Sequence, residues 1–471
     1  MKSHPFWIRS ARTKHNRIFA VFMILCVFVT TYIAAFPAVS SYADGEEGLL
    51  PPPEIKAESA VLIDAASGRI LFNKDMDKQE FPASTTKIMT ALLAVENLTL
   101  DQVVTVDAES PFESGSRIYL QEGEQIDVNN LLHGALIPSA NDCAYALGIA
   151  ISGTMDQYTQ LMNARAAELG ATGTHFDNPN GMPNPDHVTT AHDLALIARE
   201  AMTHEEIRNI VKTYEYTIPP TNLQPEARIV HNSNRFLYDG RHYVDVYGQS
   251  VPIYHEDITG VKTGYTDAAR NCLIASCKRG DIELIAVTMK GEGYDVYADS
   301  LSLFEYGFSN YETKTIVTKG EKYSRLPIID GKNTSVDLVA AEDVTTLMKK
   351  DSTPADLAYD DQVGNAVKAP VDAGGKYAVL VVRSGDEVLG TVDLLAKSSV
   401  EAKIIKGNIK SALNVAATIL KIVVAVVVFA IVMFGILILR DNARQKKRRE
   451  HRKRRRANRD AHEISFIKRI K

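Results

Sequence analysis

The sequence predicts an α/β (α+β) domain with a mostly antiparallel sheet, followed by a small all-β domain and a C-terminal transmembrane helix. Three patterns in the 471 residues support this prediction. Helical patterns lie between two groups of strand patterns up to residue 311, short strands with turn residues follow, and an unbroken apolar run occupies residues 422–439. Helices enclosed by strands are typical of mixed folds, whereas one long apolar run is typical of a membrane span.

The first 43 residues have the order of a secretory signal. Five basic residues precede an apolar run at residues 18–36, and the small-residue sequence Ser-Tyr-Ala ends the segment before Asp44. This order predicts a signal peptide over residues 1–43, while an uncleaved anchor is the alternative because the apolar run is long. Both interpretations predict export, and residues 44–58 are expected to form an exposed linker.

Residues 59–311 carry the mixed pattern. Two alternating runs around Gly68, "AVLIDAAS" and "RILFNKD", predict a hairpin that leads into an apolar helix beginning near Ser84. Helices are also predicted within residues 128–170, with a break at Pro138, and from Thr190. Strands follow at "ITGVKTGYT", "NCLIASCK" and "ELIAVTMKG", and "DVYADSLSLFEYGF" predicts a closing helix.

Residues 312–400 predict an all-β domain, because β-rich runs such as "KYAVLVVRSGDEVLGTVDLLA" alternate with turn residues. A transmembrane helix is predicted at residues 412–439. The eighteen apolar residues at 422–439, at about 1.5 Å each, reach across most of a hydrocarbon core of about 30 Å.

Residues 440–471 form a basic tail with fifteen Lys and Arg against four Asp and Glu, a net charge of +11. Positive charge beside a membrane span marks the cytoplasmic side. We expect a disordered tail that contacts anionic membrane lipid. Residues 44–439 carry a net charge of −21, and this acidic balance argues against a nucleic-acid partner.

The cysteines and histidines predict no disulfide framework, no metal site and no cofactor. Cys272 and Cys277 lie five residues apart on a predicted strand, so they are about 17 Å apart on opposite faces. Cys143 fits a small buried helix residue better than a reactive thiol. Three histidines match no metal-ligand spacing, and we expect them to pack on loops and helix surfaces. They are His175, His187 and His192.

A lysine occupies the first turn of the helix predicted at Ser84, although the positive end of a helix disfavours a cation. Three short motifs suggest a chemical role for this lysine. Ser84 and Lys87 are three residues apart, which places hydroxyl and amine on one helix face. Ser139 and Asn141 follow the break at Pro138. The third motif, Lys262-Thr263-Gly264, lies on a predicted strand.

A serine becomes a nucleophile when a neighbouring base takes its proton, and a lysine can do so only when neutral. Burial, the helix end and Lys262 would lower the pKa of Lys87 toward the working pH. Ser139 is suited to pass a proton to the leaving amine, and Asn141 to orient Lys87 and the substrate amide. Lys262 and Thr263 would bind the substrate carboxylate, and Gly264 would let the substrate backbone approach the strand edge.

In this order the motifs form the signature of penicillin-recognising serine enzymes. The chain resembles the low-molecular-weight penicillin-binding proteins, which are serine-type D-alanyl-D-alanine carboxypeptidases. The resemblance covers about residues 60–310, including "PASTTKIMTALLA", "SANDCAYAL", "NPNGMPNPDHVTTAHDLA" and "GVKTGYTDAARNCLIAS", and continues more weakly to about residue 396.

The resemblance implies a penicillin-binding/β-lactamase-like transpeptidase fold and removal of the terminal D-alanine from peptidoglycan stem peptides through an acyl-enzyme on Ser84. It also implies covalent inhibition by β-lactams and an oxyanion site formed by the backbone N–H groups of Ser84 and Tyr265. The protein would be a single-pass protein of the bacterial cell membrane, with an extracytoplasmic catalytic domain and a cytoplasmic tail.

Two departures from the family follow. Members often carry an arginine after the strand that follows Lys-Thr-Gly, but "KGEGYDVYADS" contains none. Arg270 either binds the substrate carboxylate in its place or is a solvated loop residue. The best-known relatives lie on the membrane through an amphipathic helix, whereas this chain is predicted to span it.

Other functions remain open from the sequence. A D,D-endopeptidase or a transpeptidase would carry the same three motifs. A non-catalytic β-lactam-binding membrane scaffold would keep the fold without turnover, which the intact motifs disfavour. A class A β-lactamase is disfavoured because no "ExxLN" loop lies between the second and third motifs.

Overall fold

The structure is a computed structural model that describes residues 48–353, 356–403 and 409–467. The predicted signal peptide at residues 1–43 lies outside the described residues. The chain divides into two compact units, and all three sequence motifs lie in the first. The first unit contains the residues up to Tyr323, Val339–Gln362 and Ala378–Leu394, and the second contains Ser324–Leu338, Val363–Tyr377 and the residues from Leu395.

The helices and strands up to residue 310 follow the predicted order. They are β1 Ser59–Asp64, β2 Ile70–Lys74, α1 Lys87–Asn97, β3 Val103–Thr105, β4 Gln125–Asp127, α2 Val128–Leu136, α3 Asn141–Ser152, α4 Met155–Glu168, α5 Ala191–Ala201, α6 Glu205–Val211, β5 Glu215–Ile218, β6 Arg228–His231, β7 Tyr243–Val246, β8 Gln249–Pro252, β9 Ile258–Thr266, β10 Arg270–Arg279, β11 Ile282–Gly291 and α7 Asp295–Asn310. Short 3₁₀ turns lie at Ala83–Thr86, Ser110–Phe112 and Arg235–Leu237.

A five-stranded sheet organises this region. Its strand order is β2-β1-β11-β10-β9, and each neighbouring pair is antiparallel. The order places β9, which carries the third motif, at one edge of the sheet. The predicted mixed fold with an antiparallel sheet is therefore confirmed.

Both faces of the sheet are covered, because successive side chains of each strand point to opposite faces. In β1, Val61 and Ile63 join the hydrophobic cluster that contains α1 to α6. Leu62 joins the second cluster, which contains α7. Cys272 and Cys277 also divide between the two clusters, in agreement with their predicted opposite faces, and both are buried free thiols.

The predicted break at Pro138 separates α2 from α3. Ser139 has a left-handed backbone with φ of +66°. The other predicted helix start is also confirmed, because Thr190 caps α5 by accepting a hydrogen bond from the backbone N–H of Asp193 at 3.0 Å. The break places Ser139 outside both helices and Asn141 at the start of α3.

Strands dominate residues 311–396, as predicted for the all-β region. Within the first unit β12 pairs with β15 and β16 with β18, both antiparallel, and within the second β13 pairs with β17 in parallel. The strands are β12 Tyr311–Val317, β13 Lys322–Ile329, β14 Ser335–Ala340, β15 Val344–Lys349, β16 Ala358–Asp361, β17 Val367–Lys368, β18 Lys376–Ser384 and β19 Glu387–Ala396.

One long helix, α8, covers Ile409–Ile467. Its part Lys410–Arg456 is long and apolar enough to cross a membrane, with a mean hydropathy of 3.4 in its most apolar window. The prediction of a disordered tail is wrong for residues 440–467, because the helix continues through them. The tail sequence contains neither Gly nor Pro, and Arg, Lys, Ala, Gln and Glu are good helix formers.

Candidate active site

Ser84 lies on the 3₁₀ turn Ala83–Thr86, directly before α1. Ala83 adopts a left-handed backbone with φ of +49°. Thr85 Oγ1 donates to the carbonyl oxygen of Pro82 at 2.7 Å, and Thr86 Oγ1 donates to that of Ala83 at 2.9 Å. The two threonine hydroxyls therefore hold the strained turn, which leaves the hydroxyl of half-buried Ser84 for other partners.

The amine of Lys87 meets the hydroxyl of Ser84, as the first motif predicted. Lys87 Nζ lies 2.9 Å from Ser84 Oγ and donates to the carbonyl oxygen of Asn180 at 2.8 Å. The side chain of Lys87 is fully buried. An amine in this position can take the hydroxyl proton once it has lost its own.

Burial lowers the pKa of Lys87 well below its ordinary value, and the nearby charge of Lys262 lowers it further. Cys143, Asp142 and Glu113 act in the opposite direction. Lys87 is also the first residue of α1, where the helix dipole disfavours a cation. The lysine that contradicts the helix-start rule thus sits where the neutral amine is favoured.

The loop "NPNGMPNP" supplies a contact that the sequence did not reveal. Asn178 Oδ1 accepts hydrogen bonds from the backbone N–H groups of Gly181 at 2.7 Å and Met182 at 3.1 Å, so the loop closes on itself. A Cβ atom at Gly181 would lie 1.7 Å from the carbonyl oxygen of Ala83. The glycine lets this loop touch the Ser84 turn and present the carbonyl oxygen of Asn180 to Lys87.

His187 lies on a loop, as predicted, but it is buried rather than packed on a surface. Its Nδ1 accepts from the backbone N–H of Asp177 at 2.9 Å, so the ring proton is on Nε2, which donates to Thr86 Oγ1 at 2.8 Å. Burial lowers the pKa of His187 to about 4, and the ring is neutral at pH 7. The histidine therefore supports the Ser84 turn through Thr86.

The second motif lies at the break between α2 and α3. Ser139 and Asn141 are both buried, and Ser139 Oγ and Asn141 Oδ1 have no hydrogen-bond partner among the described residues. Asn141 Nδ2 donates to the carbonyl oxygen of Ser114. No hydrogen bond from Asn141 to Lys87 occurs in the described part of the chain, so its predicted orienting role stays a prediction.

The third motif lies on β9. Lys262 is buried, which lowers its pKa to about 7, and its Nζ donates to the carbonyl oxygen of Thr263 at 3.0 Å. The hydroxyl oxygens of Thr263 and Ser233 are 2.6 Å apart. A Cβ atom at Gly264 would lie 2.9 Å from the carbonyl oxygen of Pro82 and 3.0 Å from Ser84 N. Gly264 thus makes room for the Ser84 turn itself.

A cleft of about 470 Å³ joins the three motifs. Its walls include Ser84 from the first motif, Ser139 from the second, and Thr263 and Gly264 from the third, with exposed Tyr265 next to them. The remaining lining residues are Ser116, Pro138, Ser233, Arg235, Asn271, Cys272, Leu273, Gly293, Tyr294, Val296 and Tyr297. The arrangement suits a short extended ligand presented to Ser84.

Arg270 is not among the residues that line the cleft. It begins β10 with φ of +55°, its side chain is about half exposed, and its Nε lies 3.4 Å from Glu292 Oε1. Arg235, which belongs to none of the three sequence motifs, lines the cleft instead. The role predicted for Arg270 stays a prediction.

One group of possible metal ligands lies in the described residues, formed by Glu96, Glu200 and His204. The guanidinium of Arg165 already bonds both carboxylates, at 2.6 Å to Glu96 Oε1 and 3.1 Å to Glu200 Oε1. These acids therefore form an ion-pair network.

Comparison with known proteins identifies the family of this chain. Residues 49–293 match the family described as D-alanyl-D-alanine carboxypeptidase, and residues 311–402 match the C-terminal domain of penicillin-binding protein 5. The D-alanyl-D-alanine carboxypeptidase DacF of Bacillus subtilis is 31% identical over 352 residues, which cover 74% of this chain and 86% of the relative. DacD of Escherichia coli is 29% identical over 361 residues, 74% of this chain and 88% of the relative.

Solved structures give the same result. Penicillin binding protein 5 from Haemophilus influenzae is similar with a TM-score of 0.60 at 25% identity, covering 75% of this chain and 99% of that one. The matched family spans more than half of the residues, and its region contains all three motifs. The chain therefore belongs to the D-alanyl-D-alanine carboxypeptidase family.

Proposed function

We propose that Ser84 is the nucleophile and Lys87 the general base of a serine-type D-Ala-D-Ala carboxypeptidase. The family membership supplies the activity, which is hydrolysis of the bond before a terminal D-alanine. The observation that carries the residue assignment is the 2.9 Å approach of the fully buried Lys87 amine to Ser84 Oγ. A buried amine beside a second cation favours its neutral form, and only this form can accept the serine proton.

The proposed reaction gives a role to each of the three motifs. Ser84 Oγ attacks the carbonyl carbon of the penultimate D-alanine, and its proton passes to Lys87. The oxyanion accepts hydrogen bonds from the backbone N–H groups of Ser84 and Tyr265. When the carbon–nitrogen bond breaks, the Ser139 hydroxyl relays the proton held by Lys87 to the leaving amine, which departs as D-alanine and leaves Lys87 neutral again. Water then cleaves the ester and restores the serine hydroxyl.

The other site residues orient the substrate. Lys262 and Thr263 would bind the terminal carboxylate with a cation and a hydroxyl from neighbouring positions on β9. Asn141 would bind the substrate amide, since its Oδ1 is buried with no partner in the described chain. The exposed position of Arg270 beside Glu292 does not support the role in binding the substrate carboxylate that was considered for it. The substrates would be peptidoglycan stem peptides, with β-lactams as covalent inhibitors.

We also propose a single-pass topology with the catalytic domain outside the cell. The apolar part of α8 can anchor the chain in a membrane, and the +11 charge of residues 440–471 favours the cytoplasm for the tail. The same charge would attract anionic lipid. The proposed division is a linker at residues 44–58, a catalytic domain at 59–311, a β domain at 312–400 and the span at 412–439, supported by the two family matches.

The test uses the full chain in detergent. Incubation with a pentapeptide ending in D-Ala-D-Ala should release free D-alanine, and penicillin should add its mass to the peptide that contains Ser84. Ser84→Ala should lose both signals. A chain that is acylated without releasing D-alanine would instead be a β-lactam-binding scaffold. A chain that cleaves only cross-linked peptides would be an endopeptidase.

A further inference from the structure

The lining of the cleft contains an arginine that the three motifs do not include. Arg235 begins the 3₁₀ turn Arg235–Leu237 and lines the same cleft as Ser84 and Thr263. Ser233, two residues earlier, has its hydroxyl oxygen 2.6 Å from that of Thr263. This contact ties the segment that carries Arg235 to the third motif.

The guanidinium of Arg235 is held in place on two sides. Its Nη1 donates to Asp239 Oδ2 at 2.7 Å, and its central carbon lies 5.1 Å from the centre of the Tyr294 ring. Asp239 is itself fixed, because His242 Nδ1 lies 2.9 Å from the same carboxylate oxygen and the backbone N–H groups of Arg241 and His242 donate to the other at 3.2 Å. A guanidinium held this way loses little freedom when it binds a ligand.

Part of the guanidinium remains available to a ligand. The side chain of Arg235 is 36% exposed. An arginine has five N–H donors, and within the described chain the side-chain hydrogen bonds of Arg235 use Nη1 alone. The remaining donors form a fork that matches the geometry of a carboxylate.

The distribution of charge around the cleft distinguishes Arg235 from the other lining residues. Among the residues that line the cleft in the described chain, Arg235 is the one with a formal charge. Lys262 is buried and is not among the residues that line the cleft, and its burial lowers its pKa to about 7. Arginine stays charged at and around neutral pH. Arg235 therefore supplies a positive charge to the cleft lining at every pH in this range.

We propose that Arg235 receives the C-terminal carboxylate of the substrate, together with the hydroxyl of Thr263, and thereby selects peptides with a free carboxyl terminus. The inference rests on the proposed function and deepens it. A carboxylate anchor on the leaving-group side would make cleavage of the last residue the favoured reaction, since an internal peptide bond has no carboxylate at that position. Arg235 is then a specificity residue of this chain, in the place first considered for Arg270.

The experiment compares two pentapeptides that end in D-Ala-D-Ala, one with a free carboxyl terminus and one with a terminal amide. Full-length wild-type protein, Arg235→Gln, Arg235→Lys and Arg270→Ala are assayed for release of the last residue. Arg325→Gln is the matched control, because it removes the ion pair of an exposed arginine with Asp337, 3.1 Å away in the C-terminal β region. Thermal unfolding of each variant reports on folding.

We expect Arg235→Gln to lower kcat/KM for the free acid by about tenfold to a hundredfold, the usual worth of a hydrogen bond to a charged group. It should change kcat/KM for the amide by less than about threefold, and Arg235→Lys should recover part of the loss. Equal losses on acid and amide would show that the residue acts only on the structure and would overturn the inference. So would an acid-selective loss in Arg270→Ala that Arg235→Gln lacks. If wild-type protein cleaves neither peptide, the proposed function fails instead.

Discussion

Replacing Gly181 by alanine tests the contact between the "NPNGMPNP" loop and the Ser84 turn. The new Cβ would lie 1.7 Å from the carbonyl oxygen of Ala83, and real Cβ atoms essentially never approach closer than 3.0 Å. The loop or the turn must therefore shift by more than 1 Å. Since both are backbone, no flexible side chain can absorb the shift.

The cost has two parts. Gly181 has φ of +87°, and an alanine in the left-handed region costs about 1–2 kcal/mol. Overpacking adds about 1–3 kcal/mol. The control is Gly248→Ala, because Gly248 has φ of +79° but a Cβ atom there would have no neighbouring atom within 4 Å. It should therefore show the backbone cost alone.

The assay measures thermal unfolding and the rate of acylation by penicillin for both variants. Gly181→Ala should lose about a hundredfold in acylation rate, because a displacement of about 1 Å in a catalytic group has this effect. The loss follows from withdrawal of the Asn180 carbonyl oxygen from Lys87. Gly248→Ala should acylate like wild type. If the two variants match in both stability and acylation, the assigned contact between loop and turn is wrong.

Three further predictions concern Ser84, Glu113 and His187. Ser84→Ala should abolish D-alanine release and the penicillin adduct while the melting temperature stays within a few degrees; a persisting adduct would place the nucleophile elsewhere. Glu113 Oε2 accepts from Asn180 Nδ2 at 2.6 Å and raises the pKa of Lys87, so Glu113→Gln should move the acid limb of the acylation pH profile to lower pH. An unchanged limb would contradict this coupling. The pKa of His187 is about 4 in the folded chain against about 6.5 unfolded. The unfolded state therefore binds the proton first, and wild type should lose up to about 3 kcal/mol relative to His187→Asn between pH 6.5 and 4. Parallel stability curves for the two proteins would refute it.

Much of the fold could be predicted because local patterns determined it. The strand "ITGVKTGYT" was predicted with the bounds that β9 has, and the break at Pro138 separates two helices as expected. The apolar periodicity and the turn residues act within a few neighbouring positions. Their signals are therefore visible in a single sequence.

The features that the sequence did not predict depend on contacts between residues that are far apart in the chain. The carbonyl oxygen of Asn180 meets Lys87 across 93 residues, and the ring of His187 meets Thr86 across 101. Neither position has a chemical signature of its own, since any residue can offer a carbonyl and a histidine can be buried or exposed. Arg235 was missed for the same reason. The close approach of Gly264 to Pro82, Ala83 and Ser84 was also missed, while its predicted role of admitting the substrate backbone stays a prediction.

For the basic tail, a local sequence pattern led to the wrong prediction. Its charge predicted disorder, but the charged residues are also good helix formers and continue the helix of the apolar span. Charge density alone therefore did not decide the conformation of residues 440–467. The proposed membrane topology rests on the charge of the tail, so the helical conformation of the tail does not change it.

The pH dependence of acylation by penicillin tests the central claim most directly. The claim is that Lys87 is neutral at working pH and takes the proton of Ser84. The second-order rate constant of the full-length chain, measured with the mass of the adduct, should rise to its plateau well below pH 10.5, the ordinary pKa of a lysine. A rate that keeps rising until pH 10.5 would show that Lys87 is an ordinary charged lysine, and the assigned base would be wrong.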